Sequence, residues 1–332
     1  MPDKPSMSRQ DFLRNMAAGL SALSLGSKDG GWAEIPQPFA TTDLSLPYRL
    51  KPVAGYSVAF TQMRGLCFDS GNQLLVATEN GIHRLDQKGQ AAQIIPLPSP
   101  AMSVAANEEG SISVLTRGSA LLFDSHYRPL SDWERPRILD NPDTWLVSAT
   151  MNDRSVFISD AGNRKVFQIA LNGDLIQEID GFHIPSAYFP CALNSDGSLL
   201  VGHTSRHQVE IFDAQGELQT SWGTYGSSPE RFCGCCNPTN LAVYRKDWIA
   251  TAEKGIPRVK INNPEGKLLA YLSAQDLGLH EEQSYLNQLR RGANGELPCH
   301  DGWPGMPMAF DSQGRLAVAL PGLKTIRIYE IA

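Results

Sequence analysis

The chain has 332 residues, with 42% hydrophobic and 19% charged, a balance that excludes a disordered or highly charged protein. Twenty-nine Lys and Arg against 35 Asp and Glu give a formal net charge of −6. That balance argues against nucleic acid as a partner, because phosphate binding needs a basic field. No apolar run approaches the roughly 18 residues of a membrane-spanning helix, so no integral membrane span is expected.

The first 44 residues read as an export signal and linker. Ser8-Arg9-Gln10-Asp11-Phe12-Leu13-Arg14, followed by the weakly apolar stretch Met16 to Leu25, resembles a twin-arginine signal, with Gln10 where the second Arg belongs. The resemblance implies a periplasmic or cell-envelope protein that is moved in its folded form. Residues 45–332 are then expected to form one body.

That body is organised by a repeat. A short apolar strand, a turn with Asp, Asn or Gly, and a second apolar strand recur around Cys67, Ala105, Ala149, Ala192, Ala242 and Ala309. Alternating strands follow, such as Val166-Phe167-Gln168-Ile169 and Val209-Glu210-Ile211-Phe212. Period-2 alternation between Gly turns predicts antiparallel strands. Six units of about 40 residues with four strands each predict an all-β, six-bladed propeller. The last unit has three strands, ending at Ile326-Arg327-Ile328-Tyr329, so residues 48–58 are expected to supply its outer strand and close the ring. Ser159-Asp160-Ala161-Gly162-Asn163-Arg164-Lys165-Val166 and Asn237-Pro238-Thr239-Asn240-Leu241-Ala242-Val243 resemble the NHL repeat. The resemblance implies a propeller and leaves function open, since such rings serve as scaffolds, lyases and sensors.

In a propeller blade the loop entering the inner strand and the loop leaving the second strand share a face. That geometry gathers the unusual residues. Phe232-Cys233-Gly234-Cys235-Cys236 enters blade 5, and Pro298-Cys299-His300-Asp301 lies in the long insertion before blade 6. Cys191 begins the inner strand of blade 4, His183 precedes it, and Asp160, His203 and Glu253 end the second strands of blades 3, 4 and 5. Thiolates and imidazoles at one channel mouth suit an iron–sulfur cluster, copper or zinc. Cys233, Cys235, Cys236 and Cys299 are the expected ligands, with His203, His300 and Cys191 beside them. A redox or metal centre, possible in electron transfer, would then meet a protein or small-molecule partner at the channel face. Disulfides among the same five cysteines, serving a binding scaffold without catalysis, are the alternative. A lyase or hydrolase using a divalent ion through Asp160 and Glu253 is the third reading. Cys67 reads as a buried small hydrophobe, and His207, which occupies the place of Arg164 in the preceding repeat, as a packing residue.

Overall fold

The structure is a computed structural model that describes residues 45–332 apart from Thr61, Gln87, 131–140, Cys235, 246–247, 255 and 280–304. The export-like segment, Cys235, Cys299 and His300 therefore lie outside the described residues.

The described chain is almost wholly antiparallel β-structure. After β1 (Leu50–Ser57) come β2 (Met63–Phe68), β3 (Leu74–Thr78), β4 (Gly81–Leu85) and β5 (Ala91–Pro96), which make one four-stranded sheet. The second sheet shows three strands among the described residues, β6 (Ser103–Ala106), β7 (Ile112–Leu115) and β8 (Ala120–Phe123). The third holds β9 (Leu146–Met151), β10 (Ser155–Asp160), β11 (Lys165–Ala170) and β12 (Leu175–Ile179). The fourth holds β13 (Cys191–Leu193), β14 (Leu199–His203), β15 (Gln208–Phe212) and β16 (Leu218–Trp222). The fifth holds β17 (Asn240–Tyr244), β18 (Trp248–Glu253), β19 (Arg258–Asn262) and β20 (Leu268–Leu272). In the sixth, β21 (Met308–Phe310), β22 (Leu316–Leu320) and β23 (Thr325–Ile331) are joined by β1, in the order β1-β23-β22-β21. The β1 register runs from Leu50 opposite Ile331 to Ser57 opposite Thr325.

The six sheets are the blades of a propeller. Six apolar clusters form the core, and each bridges two neighbouring sheets. Leu75 and Ile112 share one, Leu115 and Val156 the next, and Phe157 and Val201 the third. Leu200 and Phe232, then Val259 and Val318, then Ala317 and Leu74 complete the circuit back to blade 1. A blade is thus apolar on both faces of its middle strands, which is why β3, β10, β14, β18 and β22 are buried along their length apart from Trp248.

The turns between strands follow local chemistry. Asp69 Oδ1 accepts from the Gly71 and Gln73 N–H at 2.9 and 2.8 Å, and Asp311 Oδ1 does the same for Gln313 and Arg315. Such side-chain acceptors replace backbone partners in a tight turn. Arg164 and His207 occupy equivalent turns, both left-handed at φ 59° and 57°, so the repeat equivalence read from sequence extends to the backbone.

Candidate functional site

The starts of the inner strands of all six blades meet at one end of the channel. They enclose a cavity of about 570 Å³, within the range of small-molecule sites. Gln62 and Arg64 come from blade 1, Ser103 from blade 2, Ser148 from blade 3, Tyr188 and Phe189 from blade 4, Asn240 from blade 5 and Met308 from blade 6. Leu66, Met102, Val104, Val147 and Leu241 add apolar wall. Among the described lining residues Arg64 is the one charged side chain, and there is no Asp, Glu, His or Cys.

Hydrogen bonds between blades set the wall. Ser103 Oγ accepts from Ala149 N–H at 3.0 Å, across blades 2 and 3. Ser148 Oγ accepts from Cys191 N–H at 3.3 Å, across blades 3 and 4. On blade 5, Asn240 Oδ1 accepts from Met306 N–H at 3.1 Å. Arg64 Nε and Nη2 both donate to Gln62 Oε1, at 3.1 and 2.5 Å, while Nη1 faces Met102 Sδ at 3.5 Å. Desolvation lowers the Arg64 pKa, opposed by Glu79 and Tyr188; a guanidinium so placed keeps its charge at neutral pH.

A second pattern holds the loops above that wall. The residue at or just after the end of the second strand accepts a backbone N–H from the loop entering the same blade. Glu79 Oε2 takes Gln62 N–H at 3.2 Å and Asp160 Oδ1 takes Trp145 N–H at 2.9 Å. His203 Nε2 takes His183 N–H at 2.9 Å and Glu253 Oε2 takes Cys233 N–H at 2.7 Å. Asp160, His203 and Glu253 are all buried, so each acceptor spares the loop an unsatisfied donor. For His203 the tautomer follows: Nε2 accepts, so Nδ1 carries the proton toward Glu210 Oε1 at 2.9 Å. Arg206 also donates to Glu210 Oε1, at 3.2 Å.

Around Glu253 the tether becomes a buried ion cluster. Arg258 donates from Nε to Oε1 at 2.8 Å and from Nη2 to Oε2 at 3.0 Å. Lys260 Nζ lies 2.9 Å from Oε1 and 3.8 Å from the Phe232 ring centroid. Arg258 and Lys260 also donate to the Arg231 carbonyl, at 2.9 and 3.0 Å. The cluster thus clamps the loop from Ser227 to Cys233. Asn237 Nδ2 donates to the carbonyls of Cys233 and Lys254, and His207 Nε2 pairs with Gly234 O at 2.6 Å.

The described candidate cysteines, Cys191, Cys233 and Cys236, are buried and are not among the described residues that line the cavity. Cys233 and Cys236 are buried in the clamped loop. Burial, reinforced by the Glu253 carboxylate, pushes the Cys233 thiol up to about 12. Cys191 lies behind Ser148, with Sγ 3.8 Å from Ser148 Oγ, and burial raises its pKa as well. No two of the described cysteines are joined by a disulfide. Among the described residues no group of three or more His, Cys, Asp or Glu is placed to hold a metal ion. His203 has both ring nitrogens engaged and stands with Glu210, His183 and Phe182 rather than with Cys233. Asp160 and Glu253 serve as loop acceptors. Arg64, Ser103 and Ser148, absent from the sequence candidates, are the side chains that do line the channel; the signal for them was their place at or beside the start of an inner strand.

The fold and its channel mouth define a six-bladed β-propeller with a ligand-sized cavity. No family model matches the sequence, and no curated protein does. Solved structures of similar shape include a streptogramin B lyase, 12% identical, with a TM-score of 0.57 over 84% of this chain and 97% of that one. A gluconolactonase from Xanthomonas campestris is 13% identical, with a TM-score of 0.58 over 83% of this chain and 88% of that one. At such identities the likeness is one of fold. No helix among the described residues is long and apolar enough to cross a membrane.

Proposed function

We propose that this protein binds a small organic molecule in the channel mouth. The observation that carries the reading is the convergence of all six blades on one 570 Å³ cavity of mixed polar and apolar lining. The lyase and lactonase among its structural neighbours support a propeller that handles small molecules. The donor set supports binding over divalent-metal hydrolysis, since the described lining offers Arg, Gln, Asn, Ser, Thr and Tyr and no carboxylate or imidazole. A thermal-shift screen of small metabolites tests the reading, with Gly322→Trp as the control. Gly322 lines the cavity, and a Cβ there meets nothing within 4 Å, so a bulky side chain starts from open space at the mouth. Stabilisation of the wild type by a compound that leaves Gly322→Trp unmoved is the expected result. Equal response of both, or none from either, overturns it.

The second reading is a cysteine-held metal, iron–sulfur or redox centre formed by Cys233, Cys235, Cys236 and Cys299, with His300, His203 or Cys191 nearby. Its support is that Cys233 and Cys236 are 6% and 2% exposed within one clamped loop. Metal analysis of anaerobically purified protein, with thiols counted after unfolding with chelator alone, tests it. Stoichiometric metal released with four or more thiols supports the centre; metal-free protein overturns it. We further infer export to the cell envelope from residues 8–25, and an NHL-type origin of the repeat. Cell fractionation of a tagged chain tests the first, a cytoplasmic pool alone refuting it.

A further inference from the structure

Four polar side chains of the channel mouth each turn an oxygen to a donor of the protein itself. Gln62 Oε1 is taken by Arg64, Asn240 Oδ1 by Met306 N–H, Ser103 Oγ by Ala149 N–H and Ser148 Oγ by Cys191 N–H. The Gln62 and Asn240 NH₂ groups are left as donors and the Ser103 hydroxyl can turn its proton outward, while the Ser148 hydroxyl also lies 3.8 Å from Cys191 Sγ. Thr239 is the exception, since its hydroxyl donates to Ala252 O at 3.1 Å. Arg64 adds the one formal charge, and its hydrogen-bond partners, Gln62 and Met102, are both neutral. Glu79 acts on Arg64 through space but is absent from the lining. A cavity rich in donors and carrying one guanidinium is complementary to a group that only accepts. The apolar wall beside it, with Leu66, Val104 and Leu241, is complementary to a hydrocarbon or aromatic body.

We infer that the channel mouth takes an amphipathic organic anion, its oxyanion on Arg64 and the surrounding donors, its apolar body against the inner strands. The inference rests on the reading of the cavity as a ligand site and adds the chemical class of the ligand. The chain's net charge of −6 does not oppose this at contact range, because fields beyond about 8 Å are screened at physiological salt.

Two fluorescent probes isolate the charge. Anilinonaphthalenesulfonate and N-phenyl-1-naphthylamine share an aromatic body and differ by one sulfonate. Both are titrated into the full chain as wild type, Arg64→Met, Arg64→Lys and Gly322→Trp, each checked for a native melting transition. The wild type is expected to bind the sulfonate about ten- to a hundredfold more tightly than the neutral amine, the range of a charge-assisted hydrogen bond. Arg64→Met should lose that factor for the sulfonate and leave the amine within about twofold. Arg64→Lys, which keeps the charge but not the fork, should fall between and serves in its place if Arg64→Met does not fold. Gly322→Trp should weaken both probes. If Gly322→Trp weakens both while neither Arg64 variant changes the preference, the cavity binds ligands but the anion inference is wrong. If no variant affects either probe, or neither probe binds, the cavity reading falls with it.

Discussion

Removing the Glu253 carboxylate is the most exacting test of how the loop before β17 is held. The Glu253 side chain is fully buried, as are those of Arg258 and Lys260 within 2%. It receives two bonds from Arg258, one contact from Lys260 and the Cys233 N–H, all between 2.7 and 3.0 Å. Glu253→Ala leaves two cations facing each other in a buried site and an amide without its acceptor. Breaking a buried pair from one side costs about 3–5 kcal/mol, and losing the amide's acceptor adds about 1–3 kcal/mol. Equilibrium urea unfolding should therefore show a loss of about 4 kcal/mol or more, or no folded protein. Replacing the whole cluster, Glu253→Leu with Arg258→Met and Lys260→Met, should recover much of that loss, because no charge is left stranded. Hydrogen exchange supplies the local readout: in a folded Glu253→Gln variant the Cys233 amide should exchange faster, with β9–β12 unchanged. A loss of less than about 1 kcal/mol for Glu253→Ala, the scale of an exposed pair, would refute the clamp.

Burial raises the Glu210 pKa, but His203 and Arg206 outweigh it and the net shift is downward from 4.5. The stability it contributes is present above 4.5 and lost as pH falls through the lower folded value. The stability gap between wild type and Glu210→Gln should therefore shrink on acidification below pH 4.5 in a urea series, and a gap that widens would contradict the assignment. Desolvation raises the thiols of half-buried Cys67 and of buried Cys191 and Cys233, the last to about 12. These three should resist iodoacetamide in the folded protein near pH 8 and react in urea, as peptide mass mapping would show; rapid native labelling of any one contradicts its placement. A Cβ at Gly162 would lie 1.7 Å from Asp143 O, whereas at Gly118 it meets nothing within 4 Å. Gly162→Ala should lower stability by about 1–3 kcal/mol or more, with Gly118→Ala nearly silent, and equal melting temperatures would be the contrary result. Deleting residues 1–58 removes β1 and bares the β23 edge, so it should yield aggregated protein, while deleting 1–40 should not; light scattering and circular dichroism decide, and equal behaviour would show that β1 adds little.

The ring was legible because its signal is periodic. Cys67, Ala105, Ala149, Ala192, Ala242 and Ala309 all fall on innermost strands, since a small side chain beside the channel and an apolar second strand recur whatever the intervening loops do. The three-strand ending of the last repeat likewise pointed to residues 48–58, and β1 pairs there. The cavity was not legible in the same way. Arg64 carries no motif, and the meaning of Ser103 or Ser148 depends on which N–H of the adjacent blade reaches it, a relation 46 or 43 residues away. Cysteine density drew attention to blades 4, 5 and 6, but Cys191, Cys233 and Cys236 are buried outside the described cavity lining. His203 shows a middle case: its equivalence to Asp160 could be read from the repeat, whereas its pairing with His183 and Glu210 required coordinates.

The tethers at Glu79, Asp160, His203 and Glu253 hang four of the entering loops each from the second strand of its own blade. In each, one acceptor on or beside the second strand takes a loop N–H, a carboxylate in three blades and an imidazole in one. The blade therefore constrains a capability at that position rather than an amino acid. Exchange of one acceptor for another keeps the bond, so the loop's own sequence can vary while the ring that carries it stays the same.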